Sequence, residues 1–352
     1  MAYTPIDKSS DYFNTVLYTG NGGTQTISGV GFEPDWTWIK VRSTSDNHSL
    51  EDQVRGANKT LKSDTTGAEF SSGTVQISSW NSDGFALGSA DGQTNGNGQT
   101  YASWNWKAET SFSNSAGANG ATIASTGSVN QDAGFSIVSY TGSGSNATVC
   151  HGLGSTPKIL IVKNRDATEN WLVYSSKLTG TSYIRLNLSD AKGTASAVWN
   201  NTDPTSSVFT VGIDGAVNAN GNNIIAYCFA EKQGYSKFGS YVGNGNTDGP
   251  FVYTGFKPAF VICKITSGTD QWVLYDNKRD TFNVTEQILR PNISGAEGTE
   301  SGAKTDLLSN GFKLRGSGGG IGQTNNSGGS YIYMAFAENP FVTSTGIPSP
   351  AK

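Results

Sequence analysis

The first residues in this sequence with types and spacing suited to chemistry are two charged pairs. Asp52 and Arg55, and again Asp276 and Arg279, stand three residues apart behind apolar runs. A carboxylate held beside a guanidinium can move a proton or clamp a sugar. The same pair can simply fix the turn after a strand. The matching stretch elsewhere in the chain, Tyr174-Ser-Ser-Lys-Leu, carries no such pair, which weighs toward a structural role. Lys40, Lys163 and Lys264 each end an apolar run. A lysine there can guard a sheet edge against mispairing, and that role is expected ahead of contact with a ligand.

The other chemical candidates are sparse. His48 and His151 are the only histidines and have no partner at metal-ligand spacing, so no metal site is expected. No G-x-S-x-G elbow is present for nucleophilic catalysis. The glycine-rich GSGGGIG at 316–322 precedes no helical pattern and reads as a loop, not a phosphate cradle. Glycoside hydrolysis needs two carboxyl groups facing each other across a cleft, but Asp83, Asp91, Asp214 and Asp248 fall in turns. Trp80 in SSWNSDG and Trp199 in AVWNNTD are the candidates for a glycan platform, because a sugar's apolar face stacks on a ring flanked by polar side chains. Their alternative is core packing, since tryptophan is mostly buried. Cys150, Cys228 and Cys263 form neither a metal pattern nor a disulfide framework. They point to assembly in a reducing cytoplasm. Catalytic residues and cofactors are therefore not expected.

These residues ride on a chain that repeats itself three times. Tyr18-Thr-Gly-Asn-Gly, Tyr140-Thr-Gly-Ser-Gly and Tyr241-Val-Gly-Asn-Gly open the copies. The apolar runs ending at Lys40, Lys163 and Lys264 follow after 22, 23 and 23 residues. The closing runs Tyr101-ASWNWKA, Ile224-IAYCFAE and Tyr331-IYMAFAE begin 61, 61 and 67 residues later. Near-constant spacing means three similar domains. We expect copies at 1–108, 134–232 and 233–341, a Ser/Gly/Ala-rich linker at 109–133 and an extended tail at 342–352.

Glycine is 45 of 352 residues, near twice the usual share of roughly 7 %. The 8 Trp, 14 Tyr and 16 Phe give each copy a core to bury and argue against disorder. Short apolar runs divided by Gly, Asn, Asp and Pro read as all-β with tight turns. The expected fold is three tandem, jelly-roll-like β-sandwiches. Asp306-Leu-Leu-Ser309 is the best local helix candidate and only a turn long. A net charge of −4 without a basic cluster argues against nucleic acid as a partner. No apolar run reaches the 18 residues of a membrane span, and no secretory signal is visible at the N-terminus.

The repeat words YTGNG, GVGFEPDWTWIK, NSDGFALG, YASWNWKA, GFSIVSYTGSG, AYCFAEKQGYSKFGSY, DGPFVYTGFKPAF and YIYMAFAENPF cover nearly the whole chain. In them the sequence resembles a family of tailed-bacteriophage virion proteins abundant among marine phages. The resemblance implies a non-enzymatic structural protein of the virion. It would be assembled in the host cytoplasm and act in the tail as a fibre or knob in host adsorption. Its partners would be other virion proteins, further copies of itself (a trimer in the usual appendage symmetry) and a host-surface glycan. A capsid decoration protein and a glycan-cleaving depolymerase are the alternatives.

Overall fold

The apolar runs that end in lysine do not alternate, and the fold shows why. In the computed structural model, which describes residues 4–71, 76–89, 91–316 and 320–348, each run is an interior strand of an antiparallel sheet, four-stranded in copies one and three and eight-stranded in copy two. Both faces of that sheet are covered. In copy one the strand Trp36–Val41 aims Trp36 and Trp38 one way and Ile39 and Val41 the other. In copy two Ile159 and Ile161 oppose Leu160 and Val162. In copy three Phe260 and Ile262 oppose Val261 and Cys263. A strand buried on two faces reads as a continuous apolar run.

The three main sheets share one strand order: opening strand, closing strand, lysine strand, fourth strand. Copy one uses Phe13–Thr19, Thr100–Trp106, Trp36–Val41 and Ser49–Asp52. Copy two uses Phe135–Thr141, Asn223–Phe229, Ile159–Asn164 and Leu172–Ser175. Copy three uses Ser236–Val242, Ser330–Pro340, Phe256–Ile265 and Val273–Asp276. A small outer sheet covers one face of each. Its strands are Gln25–Ile27, Gly84–Leu87 and Ile77–Asn81 in copy one, and Phe251–Tyr253, Gly311–Leu314 and Thr305–Leu308 in copy three. In copy two it is the pair Ala147–Cys150 and Val208–Val211. The fold is all-β, as expected, and each copy is a two-sheet sandwich.

The inner faces of all three main sheets meet in a single core. Trp36 of copy one stacks on Tyr227 of copy two at 4.2 Å between ring centroids. Phe13 of copy one stacks on Phe336 of copy three at 5.1 Å, and Phe336 also meets Phe229 of copy two. Aromatic pairs at such spacings add about 0.5–1.5 kcal/mol beyond area burial. The copies are therefore packed against each other and not strung out.

The Tyr-x-Gly-x-Gly openings owe their form to a buried asparagine in each copy. Asn95, Asn218 and Asn325 accept the amides of Asn21, Ser143 and Asn244, the residues between the two glycines. A Cβ on the first glycine (Gly20, Gly142 or Gly243) would meet a carbonyl of the facing loop at 2.4, 2.2 and 2.3 Å. The second glycine (Gly22, Gly144 or Gly245) has φ of 73°, 69° and 69°, a conformation that glycine adopts without strain. Contact demands one glycine and backbone shape the other.

Three expectations change. The segment 109–133 is not a linker: Thr110–Asn114 and Ser125–Asn130 form a hairpin whose second strand pairs with the opening strand of copy two. Its few apolar residues suffice because an edge hairpin buries little. Of the tail, residues 342–348 fold into a turn, with Thr343 N–H donating to Ile347 O at 2.9 Å, and Ser344 N–H donates to Asp7. Residues 349–352 of the tail lie outside the described residues, as do 317–319 of the glycine-rich loop. Asp306–Leu308, the helix candidate, belongs to the strand Thr305–Leu308. No described helix is long and apolar enough to cross a membrane.

Candidate functional site

Counting from the lysine aligns the copies. Eight residues on stand His48, Trp171 and Trp272; twelve residues on stand Asp52, Ser175 and Asp276. At the seams between copies the contacts of the lysine and of the ring eight residues on recur three times, and those of the aspartate twice.

Each lysine donates to the carbonyl of its own next residue and to a carbonyl of another copy. Lys40 reaches Val41 O at 2.9 Å and Ser294 O of copy three at 3.2 Å. Lys163 reaches Asn164 O at 2.8 Å and Thr66 O of copy one at 3.2 Å. Lys264 reaches Ile265 O at 2.7 Å and Ser189 O of copy two at 3.1 Å. All three lysines are fully buried in the middle of the sheet, so the edge-guard role is overturned. Burial brings each ammonium down to about 8.

The ring eight residues on also donates across the seam. Trp171 Nε1–H gives to Lys62 O at 2.8 Å and Trp272 Nε1–H to Arg185 O at 3.0 Å. In copy one His48 takes this place. Its Nδ1 accepts Trp38 Nε1–H at 2.9 Å, which leaves Nε2–H to donate to Arg290 O at 3.0 Å. Burial holds His48 well below the usual histidine range, and thus neutral. Backbone amides close the pattern. Glu69, Lys192 and Glu297 donate N–H to Arg165 O, Thr266 O and Arg42 O at 2.7, 3.0 and 2.9 Å. Copy two thus leans on one, three on two and one on three: the chain closes a pseudo-threefold ring.

The Asp-x-x-Arg pairs sit in two of these seams. Asp52 Oδ2 accepts Arg55 Nε–H at 2.5 Å and the Tyr227 hydroxyl of copy two at 2.7 Å. Arg55 also reaches Glu69, and Glu69 takes a two-pronged contact from Arg165 of copy two. In the other seam Asp276 Oδ2 accepts Arg279 Nε–H at 2.5 Å and Trp104 Nε1–H of copy one at 3.1 Å. Glu297 joins Arg279 to Arg42 of copy one. Both Asp–Arg side-chain pairs have no solvent exposure. Burial works against the Arg55 charge, but Asp52, Tyr227 and Glu69 outweigh it and hold the guanidinium above its ordinary value.

The third seam lacks the pair. Copy two has Ser175 and Leu178 there, and Met334 of copy three takes the sheet position of Trp104 and Tyr227. Where no carboxylate is offered, no donor answers it. A cavity of about 20 Å³ beside Met334, Val173, Trp272 and Ile161 is apolar and too small for a substrate.

Most of the remaining polar and aromatic residues of interest are buried. Trp199 is 1 % exposed and packs edge-on against Tyr174, so it offers no platform; its polar neighbours in sequence concealed a core residue. Trp80 is half-buried on the outer core of copy one, its Nε1–H giving to Thr37 Oγ1 at 3.4 Å. His151 is buried, which lowers it to about 4, and accepts Leu153 N–H on Nδ1. The cysteines are free and buried, and burial pushes Cys263 up to about 12. Asp35 accepts Ala108 N–H, Glu109 N–H and the Ser128 hydroxyl. Among the described residues no three His, Cys, Asp or Glu side chains group as metal ligands.

Sequence reasoning missed the seam role of the lysines and of the +8 ring, although their constant offset was the signal. The chain belongs to a family defined by a domain of unknown function, DUF7483, whose model matches residues 8–340. No curated protein matches the chain.

Proposed function

We propose that this protein is a non-enzymatic virion structural protein of a tailed bacteriophage. In this reading it is a tail-associated fibre or knob component that acts in host adsorption. One observation carries the reading: the repeated ionisable residues of the chain, namely the lysines and the aspartates of both Asp–Arg pairs, take part in contacts that join copies. A repeat whose charged residues hold copies together serves as a building block. The repeat words supply the phage origin by resemblance. The location would be the virion, after cytoplasmic assembly, with other virion proteins and further copies of this chain as partners. Adding purified protein to host cells before infection tests it. Occupied receptors would slow phage adsorption; unchanged adsorption at saturating protein would contradict the role.

A second reading is capsid decoration. The pseudo-threefold ring favours it, because a single chain with threefold geometry can seat on a threefold lattice site. Copies per particle separate the two: hundreds mean decoration, a few to dozens mean tail.

A further inference from the structure

A threefold repeat shows what the scaffold requires, and departures from it show what the scaffold does not. One such departure follows Arg279. The bridges Leu50 to Leu61 and Val173 to Ile184 each span 11 residues, whereas Leu274 to Leu289 spans 15. Copy three thus carries four extra residues at this place.

The insertion is pinned in place. Asp280 Oδ2 accepts the amides of Glu286 and Gln287 at 2.7 and 2.6 Å. Asn283 exchanges two hydrogen bonds with the backbone of Leu307, and Thr285 pairs with Thr305. In this fixed loop Phe282 is 83 % exposed, more than any other large apolar side chain described. Beside it lies an open cleft of about 470 Å³, walled by Asn277, Thr281, Asn283, Thr285 and Leu307, a size usual for ligand sites. Asn277 Oδ1 takes no hydrogen bond among the described residues. The charges at the cleft are already matched, Asp280 by backbone amides and Lys257 by Glu338 at 2.7 Å.

We propose that this cleft binds a neutral saccharide. An exposed ring offers a stacking surface to the apolar face of a sugar, and amides and hydroxyls around it match sugar hydroxyls. Matched charges give an ionic ligand no advantage. The inference deepens the adsorption reading and, as a biological role, rests on it; the chemistry of the cleft does not.

The test uses the full chain and hexasaccharides of glucose, galactose, mannose and N-acetylglucosamine as probes, read by saturation-transfer NMR and titration calorimetry. Binding of at least one probe is expected, with Phe282→Ala and Asn277→Ala each weakening it tenfold or more while the melting temperature stays unchanged. Failure of all four probes to bind, or equal binding by Phe282→Ala, overturns the proposal. Equal adherence of wild type and Phe282→Ala to host cells would remove the cleft and leave adsorption standing. Saccharide binding by a chain that does not slow phage adsorption would do the reverse.

Discussion

The Tyr227 hydroxyl of copy two donates to Asp52 Oδ2 of copy one at 2.7 Å, across 175 residues of chain and inside a seam closed to solvent. With Arg55 Nε–H on the same oxygen, it helps satisfy a buried carboxylate. Hydrogen bonds to charged groups contribute about 1.5–3 kcal/mol. Tyr227→Phe is expected to lower unfolding stability by that amount, read from a urea midpoint. An unchanged midpoint would mean that the contact contributes nothing.

Copy two shows how a seam survives without the pair. Removing one partner of a buried ion pair costs about 3–5 kcal/mol, so Asp52→Ala should be severe. The triple change Asp52→Ser, Arg55→Leu and Tyr227→Met copies the third seam, built from Ser175, Leu178 and Met334. It should recover most of that loss. A triple variant no more stable than Asp52→Ala would show that the seams are not interchangeable.

The lysines give the ring a pH dependence with a definite sign. Burial lowers Lys163 from 10.5 to about 8 in the folded chain. Between those values the unfolded chain holds more protons, so stability rises with pH across that window. Lys163→Met removes its share, and its urea midpoint should rise less than that of wild type between pH 7 and pH 10. It should also be less stable at pH 7, because Thr66 O and Asn164 O lose their donor. An equal rise in both proteins would assign the pH dependence elsewhere.

Glu51 carries the opposite sign. It stands in copy one where the other copies have Tyr174 and Tyr275, and burial raises it from 4.5 to about 7. The folded chain holds the extra proton, so this stability is present below pH 4.5 and is lost as pH rises through 7. Glu51→Gln should match wild type near pH 4.5 and exceed it at pH 8 by about 1–3 kcal/mol. A variant weaker at pH 8 would show that the ionised carboxylate is needed.

Much of the architecture was legible. Spacing between Tyr, Lys and closing runs marked the three copies, and apolar runs cut by Gly, Asn and Pro marked the strands. What escaped was set by contacts between copies. A lysine closing an apolar run looks the same at an edge as in a seam, and only the carbonyls of Thr66, Ser189 and Ser294 distinguish the two. The hairpin within 109–133 escaped because Ser, Gly and Asn on an edge strand imitate a linker. Trp199 escaped because the residues that follow it in sequence, Asn200 and Asn201, are polar while its ring packs in space against Tyr174.

Trp199→Ala follows from that burial. Emptying a buried tryptophan site costs about 3–5 kcal/mol, so the variant should melt early, and any binding loss should track unfolding. Lost glycan binding at an unchanged melting temperature would restore the platform.

In the function proposed, three interlocked copies form one building block of a phage particle. Cryo-electron microscopy of purified particles tests it most directly. Density on the tail that fits the closed ring of this chain, with Phe282 of copy three outward, is the expected result. Particles that lack the chain altogether would contradict it.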